Sequence, residues 1–162
     1  MDFKQLEIEL NKFGKYVVQQ SRSNLTKQKK NVNKSLYNSI GYNLEKTNDG
    51  YNLTFEMEDY GQYQDKGVSG IKKKYNTPFK YTNKMPPPKA FDKWGIVKGI
   101  APRKKGGQFE KRKGLDFALA RSIYYKGIRP SLFFTKPFEQ AFKRLPSDIE
   151  KTLIADLTDN IF

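Results

Sequence analysis

The sequence contains no cysteine and no histidine among its 162 residues. Those two absences remove disulfide staples, thiolate metal sites, a cysteine nucleophile and the imidazole base on which most acid–base catalysis relies. Acidic residues are scarce as well, 17 Asp+Glu against 31 Lys+Arg, which leaves a formal net charge of +14. Long apolar runs are missing, and no stretch approaches the ~20 apolar residues that a membrane-spanning helix needs. The opening M-D-F-K-Q-L-E-I-E-L is acidic and amphipathic rather than a basic segment followed by an apolar core, so it does not read as a leader. These features predict a soluble, intracellular protein with no membrane partner. The length predicts a single domain, 1–162, able to bury ~70% of the surface its unfolded chain would expose.

The excess of positive charge lies in one place. Lys66 to Lys113 holds 15 Lys+Arg against two acids, Asp92 and Glu110, a net of +13, and the rest of the chain carries a net of +1. A basic surface that served solubility alone would spread its charge more evenly. The concentration points instead to an arm at 66–113 that faces a polyanion or an acidic protein.

The chain organises itself around Tyr51 to Gly70. Tyr51, Leu53, Phe55 and Met57 alternate with Asn52, Thr54, Glu56 and Glu58, the period of a half-buried strand, and Tyr60 and Tyr63 then fall three apart before Gly67 and Gly70, as in one helical turn. Ile40, Tyr42 and Leu44 form a second alternating run, and Asn48-Asp49-Gly50 between the two predicts a hairpin. Phe3, Leu6, Leu10, Phe13 and Val17 draw one stripe along an N-terminal helix that would cover it, with Gly14 either a close packing contact or simply tolerated. The stripe fades at Leu25 into a basic connector, Thr26 to Lys34, and Ser35 to Ser39 allows a short turn.

Between Gly67 and Gly114, Pro78, Pro86-Pro87-Pro88, Pro102 and Gly106-Gly107 predict a long excursion with one short helix near Pro88 to Val97, burying Ala90, Phe91 and Trp94. Leu115, Ala118, Leu119, Ser122 and Ile123 mark a further helix ending at Gly127, and Ile128 to Thr135 reads as an extended strand. Pro137 suits the first turn of a last helix lined by Phe138, Ala141, Phe142 and Leu145. Pro146 should kink or restart it, with Ser147 and Glu150 as a capping box ahead of Ile149, Leu153 and Leu157. The predicted fold is α+β: a small antiparallel sheet, the hairpin at about 40–57 plus a strand near 128–135, packed by N-terminal and C-terminal helices and carrying a long basic arm.

No catalytic constellation emerges. Glu56, Glu58 and Asp59 have the spacing of a metal-binding strand end, but the first two alternate with core residues and read as solvated charge, which leaves a metal-dependent nuclease a weak reading. A tyrosine nucleophile served by Tyr124, Arg121 and Arg129 is weaker still without a base. No enzyme activity, metal or cofactor is expected. Nucleic-acid binding fits better. Lysines interleaved with Tyr75, Phe79, Tyr81 and Trp94 have the composition of a phosphate-contacting surface, without any sequence-reading motif; Trp94 itself reads as a packing anchor.

The order of parts resembles the neck or tail-completion proteins of tailed bacteriophages, the head-tail joining or minor tail family. The likeness rests on the helix F-K-Q-L-E-I-E-L-N-K-F-G-K-Y-V-V, the hairpin after it, the turn Tyr60-Gly61-Gln62-Tyr63-Gln64-Asp65-Lys66-Gly67 and the late block Pro130-Ser131-Leu132-Phe133-Phe134-Thr135-Lys136-Pro137-Phe138. The lysine- and asparagine-rich composition also suits an AT-rich genome such as those of crAss-like phages, in which similar subunits are called ring proteins. The resemblance implies a structural subunit of the virion, made in the host bacterial cytoplasm and built into a six- or twelvefold ring of itself. Its neighbours would be neck, portal-adaptor and tail proteins, with packaged genomic DNA reached through phosphate contacts. It implies subunit contacts at the turn residues Tyr60, Tyr63, Asp65 and Gly67, and a family motif at Pro130, Phe133, Phe134, Pro137 and Phe138. The candidate channel- or partner-facing residues are Lys72, Lys73, Lys74, Arg103, Lys104, Lys105, Lys111, Arg112 and Lys113. The chain departs from the family pattern in the length and charge of the stretch Lys66 to Lys113, whose role stays open between DNA and a protein neighbour.

Overall fold

The computed structural model describes residues 3–30 and 34–161, with side chains through 156. Its elements are α1 (Lys4–Lys27), α2 (Ser35–Ser39), β1 (Gly41–Thr47), β2 (Gly50–Glu56), α3 (Gly61–Lys66), a 3-10 turn (Pro88–Phe91), α4 (Asp92–Val97), α5 (Arg112–Lys126), α6 (Thr135–Phe142) and α7 (Leu145–Ile161). The fold is α+β, with one two-stranded antiparallel sheet among the described residues. The chain divides into two compact units, Met1–Glu58 with Leu132–Phe162, and Asp59–Ser131.

In the first unit α1 buries Phe13, Gly14, Val17, Val18, Ser21 and Leu25, the continuation of the stripe read from the sequence. Ser21 tolerates that face because its hydroxyl donates to the Val17 carbonyl at 2.7 Å. Gly14 is a close packing contact: a Cβ there would lie 2.5 Å from Cδ2 of Tyr42, and the Tyr42 hydroxyl donates to Asn11 Oδ1 at 3.0 Å. The strands pair from Gly41↔Glu56 to Thr47↔Gly50, so that only Asn48 and Asp49 connect them. Tyr42, Leu44, Leu53, Phe55 and Met57 turn inward and Asn43, Glu45, Asn52, Thr54 and Glu56 lie exposed, as the alternation predicts.

Phe55 is where the layers meet. Its ring packs edge-on against Phe13 of α1 at 6.0 Å, Phe138 of α6 at 5.8 Å and Phe134 at 5.3 Å, and tilted against Tyr42 at 6.4 Å. Phe133, with Leu25, Leu36, Ile40 and Val18, fills the neighbouring part of this core. At the far end, the buried Asp156 of α7 accepts from the amides of Gln5 and Leu6 at 3.0 Å each. It thereby satisfies two of the donors that the first turn of α1 leaves open, at the positive end of its dipole.

Four expectations need correction. The strand at 128–135 does not form: Ile128 makes a single antiparallel bridge with Val68 inside the second unit, Pro130 has no amide to donate, Leu132 turns the chain at φ 51°, and α6 begins at Thr135. The short helix around Pro88 to Val97 exists as the 3-10 turn and α4, but its buried residue is Gly95, while Ala90 is exposed, Phe91 half-buried and Trp94 39% exposed. Gly95 faces Leu115 and Arg112 of α5, and a Cβ there would lie 4.0 Å from each, an ordinary contact. Ser147 is not a cap, because α7 starts at Leu145 and puts Pro146 and Ser147 in its first turn. Phe142, placed on the core face, is 52% exposed, although its ring stacks on Phe138 at 5.6 Å. Asn31 to Asn33 of the connector and the side chain of Leu157 lie outside the described residues.

Phe13→Ala is expected to destabilise the first unit by ~3–5 kcal/mol, since it deletes a ring packed on both Phe55 and Phe138. Asp156→Ala is expected to cost about 1 kcal/mol by removing the cap of α1. Chemical denaturation of both variants checks these values; an unchanged midpoint would mean that the interaction carries no stability.

Candidate functional site

The unit Asp59–Ser131 carries 18 Lys+Arg against 5 Asp+Glu, a net of +13 out of the chain's +14. The sequence reads most of this segment as an excursion, yet it folds around the C-terminal end of α5. Val68 and Ile128 exchange a pair of backbone hydrogen bonds at 2.8 Å each. The amides of Ile71, Lys72 and Lys73 then donate to the carbonyls of Tyr124 and Tyr125 at 2.9, 3.0 and 3.2 Å. These are carbonyls that the last turn of a helix cannot satisfy by itself. Gly70 and Gly127 make the approach feasible: a Cβ on Gly70 would overlap the Tyr125 carbonyl oxygen, and one on Gly127, at φ 72°, the Val68 carbonyl oxygen. The buried Ser69 ties in the next turn, its amide donating to Phe79 O at 2.8 Å and its hydroxyl accepting from the Tyr75 amide at 2.9 Å.

The basic clusters land in different electrostatic settings. Lys72, Lys73 and Lys74 sit beside the C-terminus of α5, where the helix dipole favours cations. Lys72 lies over the Tyr125 ring at 5.2 Å, Lys73 over Tyr75 at 5.5 Å, and the Lys74 ammonium donates to Gly70 O at 2.9 Å. Part of this charge therefore serves the fold. Arg103, Lys104 and Lys105 belong to a small hairpin closed by the Arg103↔Phe109 bridge and by the Lys104 amide donating to Gln108 O at 2.9 Å, with the Arg103 guanidinium 4.7 Å from the Phe109 ring centre. That hairpin runs into the start of α5, where Lys111 is the N-cap and Arg112 and Lys113 are the first helical residues, with no acid in the first turn. Cations there face the positive end of the dipole and cost stability, a few tenths of a kcal/mol each. Lys113 and Tyr125 are separated along α5 by roughly 18 Å at 1.5 Å per residue, so the clusters form two patches rather than one.

The turn residues divide. Tyr60 and Tyr63 are 41% and 40% exposed, whereas Asp65 is buried and its carbonyl accepts from the Ser131 amide at 3.0 Å; Gly67 ends α3 at φ 76°. Of the late block, Pro130 packs beside Gly67, and Phe133, Phe134, Pro137 and Phe138 are buried or half-buried in the first unit. Their role is packing. Glu56 is exposed on β2, and the Glu58 carboxylate accepts from the Ser35 hydroxyl at 3.1 Å. Among the described residues no three Asp or Glu side chains gather as metal ligands would, and no helix is long and apolar enough to cross a membrane.

A feature that sequence reasoning missed is a groove of about 590 Å3 lined by Tyr60, Tyr63, Val68, Phe79, Lys80 and Tyr81, with Ile128 and Pro78 also contributing. Tyr63 meets Phe79 edge-on at 4.6 Å, and burial pushes the Tyr81 phenol up from its usual pKa. The Tyr124 hydroxyl donates to Thr82 O at 2.6 Å and fixes the far end of this segment. The paired tyrosines at 60 and 63 were the one local signal for it.

No protein-family model, curated protein or solved structure matches this chain.

Gly70→Ala is expected to destabilise the second unit by about 2 kcal/mol or more, because backbone rather than a side-chain end must give way. Amide exchange should accelerate at Ile71 to Lys73 and through α5 while α1 and the hairpin stay protected; unchanged exchange at Ile71 would refute the joint.

Proposed function

We propose that this chain is a non-enzymatic structural subunit of a tailed-bacteriophage head–tail connector, assembled as a ring in the virion, whose basic unit faces packaged DNA or an acidic neighbouring subunit. The observation that supports it is charge without a use in the fold. Lys104, Lys105 and Lys111 to Lys113 crowd the approach to α5, the last three against its dipole, and among the described residues Lys104, Lys105, Lys111 and Lys113 have no carboxylate within ion-pair distance. Such placement is understandable when the compensating anion belongs to another molecule. The order of helix, hairpin, tyrosine turn and late phenylalanine block supplies the connector part of the reading. The second reading is a sequence-nonspecific nucleic-acid-binding protein, favoured by the same net charge of the second unit.

The variant Lys104→Gln/Lys105→Gln/Lys111→Gln/Lys113→Gln separates them. Its fold should be intact, with a melting temperature equal to or above that of the parent, since charge opposed to the dipole is removed. A connector subunit should then give full heads that do not join tails. A free nucleic-acid binder should instead lose duplex affinity, its salt dependence becoming shallower by ~0.9 for each phosphate no longer neutralised. Strong duplex binding by a monomer, seen by light scattering, with virions unaffected by the variant, overturns the connector reading.

A further inference from the structure

The groove takes in Tyr60 and Tyr63, which the resemblance marks as subunit contacts, and Phe79 and Tyr81 of the candidate nucleic-acid surface, and its features converge on one kind of ligand. We infer that it binds an extended peptide segment of a partner protein, acidic and with one bulky apolar anchor, which adds as a strand along Lys80. This holds whether the chain works in a connector or alone.

The first observation is an open strand edge. Ser69 bridges Lys80 in parallel register: the Ser69 amide donates to Phe79 O at 2.8 Å and the Tyr81 amide donates to Ser69 O at 2.9 Å. In an extended segment the amide and carbonyl of the residue between point the opposite way. Those of Lys80 have no backbone partner among the described residues. An added strand would supply both hydrogen bonds, the mode by which sheet edges recognise peptides.

The second is the chemistry of the lining. Val68, Ile128 and Pro78 are aliphatic, and the rings are held edge to face, Tyr63 to Phe79 at 67° and Tyr81 to Tyr124 at 60°. That arrangement suits one apolar side chain seated among ring edges. A run of bases would need exposed parallel faces in succession and cations tracking the phosphates, and Lys80 is the one cation in the lining. At about 590 Å3 the groove accommodates a few side chains rather than a folded surface. The third is charge complementarity. With a net of +13 on its own unit, the groove sits in a positive field that draws acidic segments and repels basic ones.

The test pans a phage-displayed random dodecapeptide library on the full chain. It then measures the enriched peptide, synthesised with a fluorescent label, by anisotropy against Tyr63→Ala, Lys80→Gln and Lys80→Pro. The enriched sequences should carry acids flanking a bulky apolar residue. Tyr63→Ala and Lys80→Pro should each weaken binding by about tenfold or more. Lys80→Gln, which keeps the amide and loses only an exposed charge, should weaken it by roughly threefold or less. Because the Lys80 amide has no internal backbone acceptor, the proline variant breaks no hydrogen bond of that kind within the fold. Should it nevertheless unfold, the Lys80 amide of the parent must become protected from exchange when the peptide is added. Failure to enrich any sequence, enriched sequences without acids, equal affinity of the Pro and Gln variants, or an unprotected Lys80 amide overturns the inference. So does labelled dodecathymidylate that binds with the same dependence on Tyr63 and Lys80, which would make the groove a nucleic-acid site.

Discussion

The second unit depends on a backbone joint. The end of α5 offers carbonyls without intrahelical donors, and the segment after α3 brings three consecutive amides, Ile71 to Lys73, to meet them, while Val68 and Ile128 lock the next residues along. Backbone can come this close only where side chains are absent, which Gly70 and Gly127 arrange from the two sides. From that joint the remaining features follow. The turn between Gly70 and Phe79 is held by Ser69, its lysines are set at the negative end of the helix dipole, and Phe79 to Tyr81 are laid down as an extended edge.

The first unit solves a different problem, that of a lone hairpin. Two strands expose one apolar face and are marginal in water. Here α1 and α6 cover that face, and Phe55 receives rings from both helices in edge-to-face contacts that add to the burial of its area. Asp156 couples α7 to the start of α1 through the two amides it accepts, so residues near the two ends of the chain stabilise one helix terminus.

This unit was largely legible in the sequence because its order is written in side-chain periodicity. The 3.6 stripe of Phe13 and Val17 and the alternation from Tyr51 to Met57 each name an element and its buried face, and Gly14 was a recognisable candidate for close approach. The second unit was not legible for a physical reason. Its organisation comes from backbone pairing over long separations, such as Val68 with Ile128, and from glycine contacts, neither of which leaves a period in the sequence. Proline and lysine there mimic a loop, and Ile128 to Thr135 mimics a strand although only Ile128 pairs. The groove was hidden for the same cause, since Tyr63, Phe79 and Ile128 approach one another only through those pairings. The basic clusters were found as residues, but whether each served the fold depended on the direction of α5.

That direction bears on the partner. Lys72 and Lys73 at the C-terminal end of α5 are stabilising where they stand, so their charge is accounted for without a ligand. Lys111 to Lys113 at the opposite end oppose the dipole, with no acid in the first turn to offset them. An isolated phosphate could answer one patch, but both together span roughly 18 Å along the helix, more than twice the Debye length of ~8 Å at physiological salt. Charges so far apart do not act on one small anion. In the proposed connector they would act together only on something extended, such as a nucleic-acid backbone or the acidic face of a neighbouring subunit. On the proposed reading it is therefore the Lys111 to Lys113 end, whose charge opposes the helix dipole, that the anions of a partner would meet.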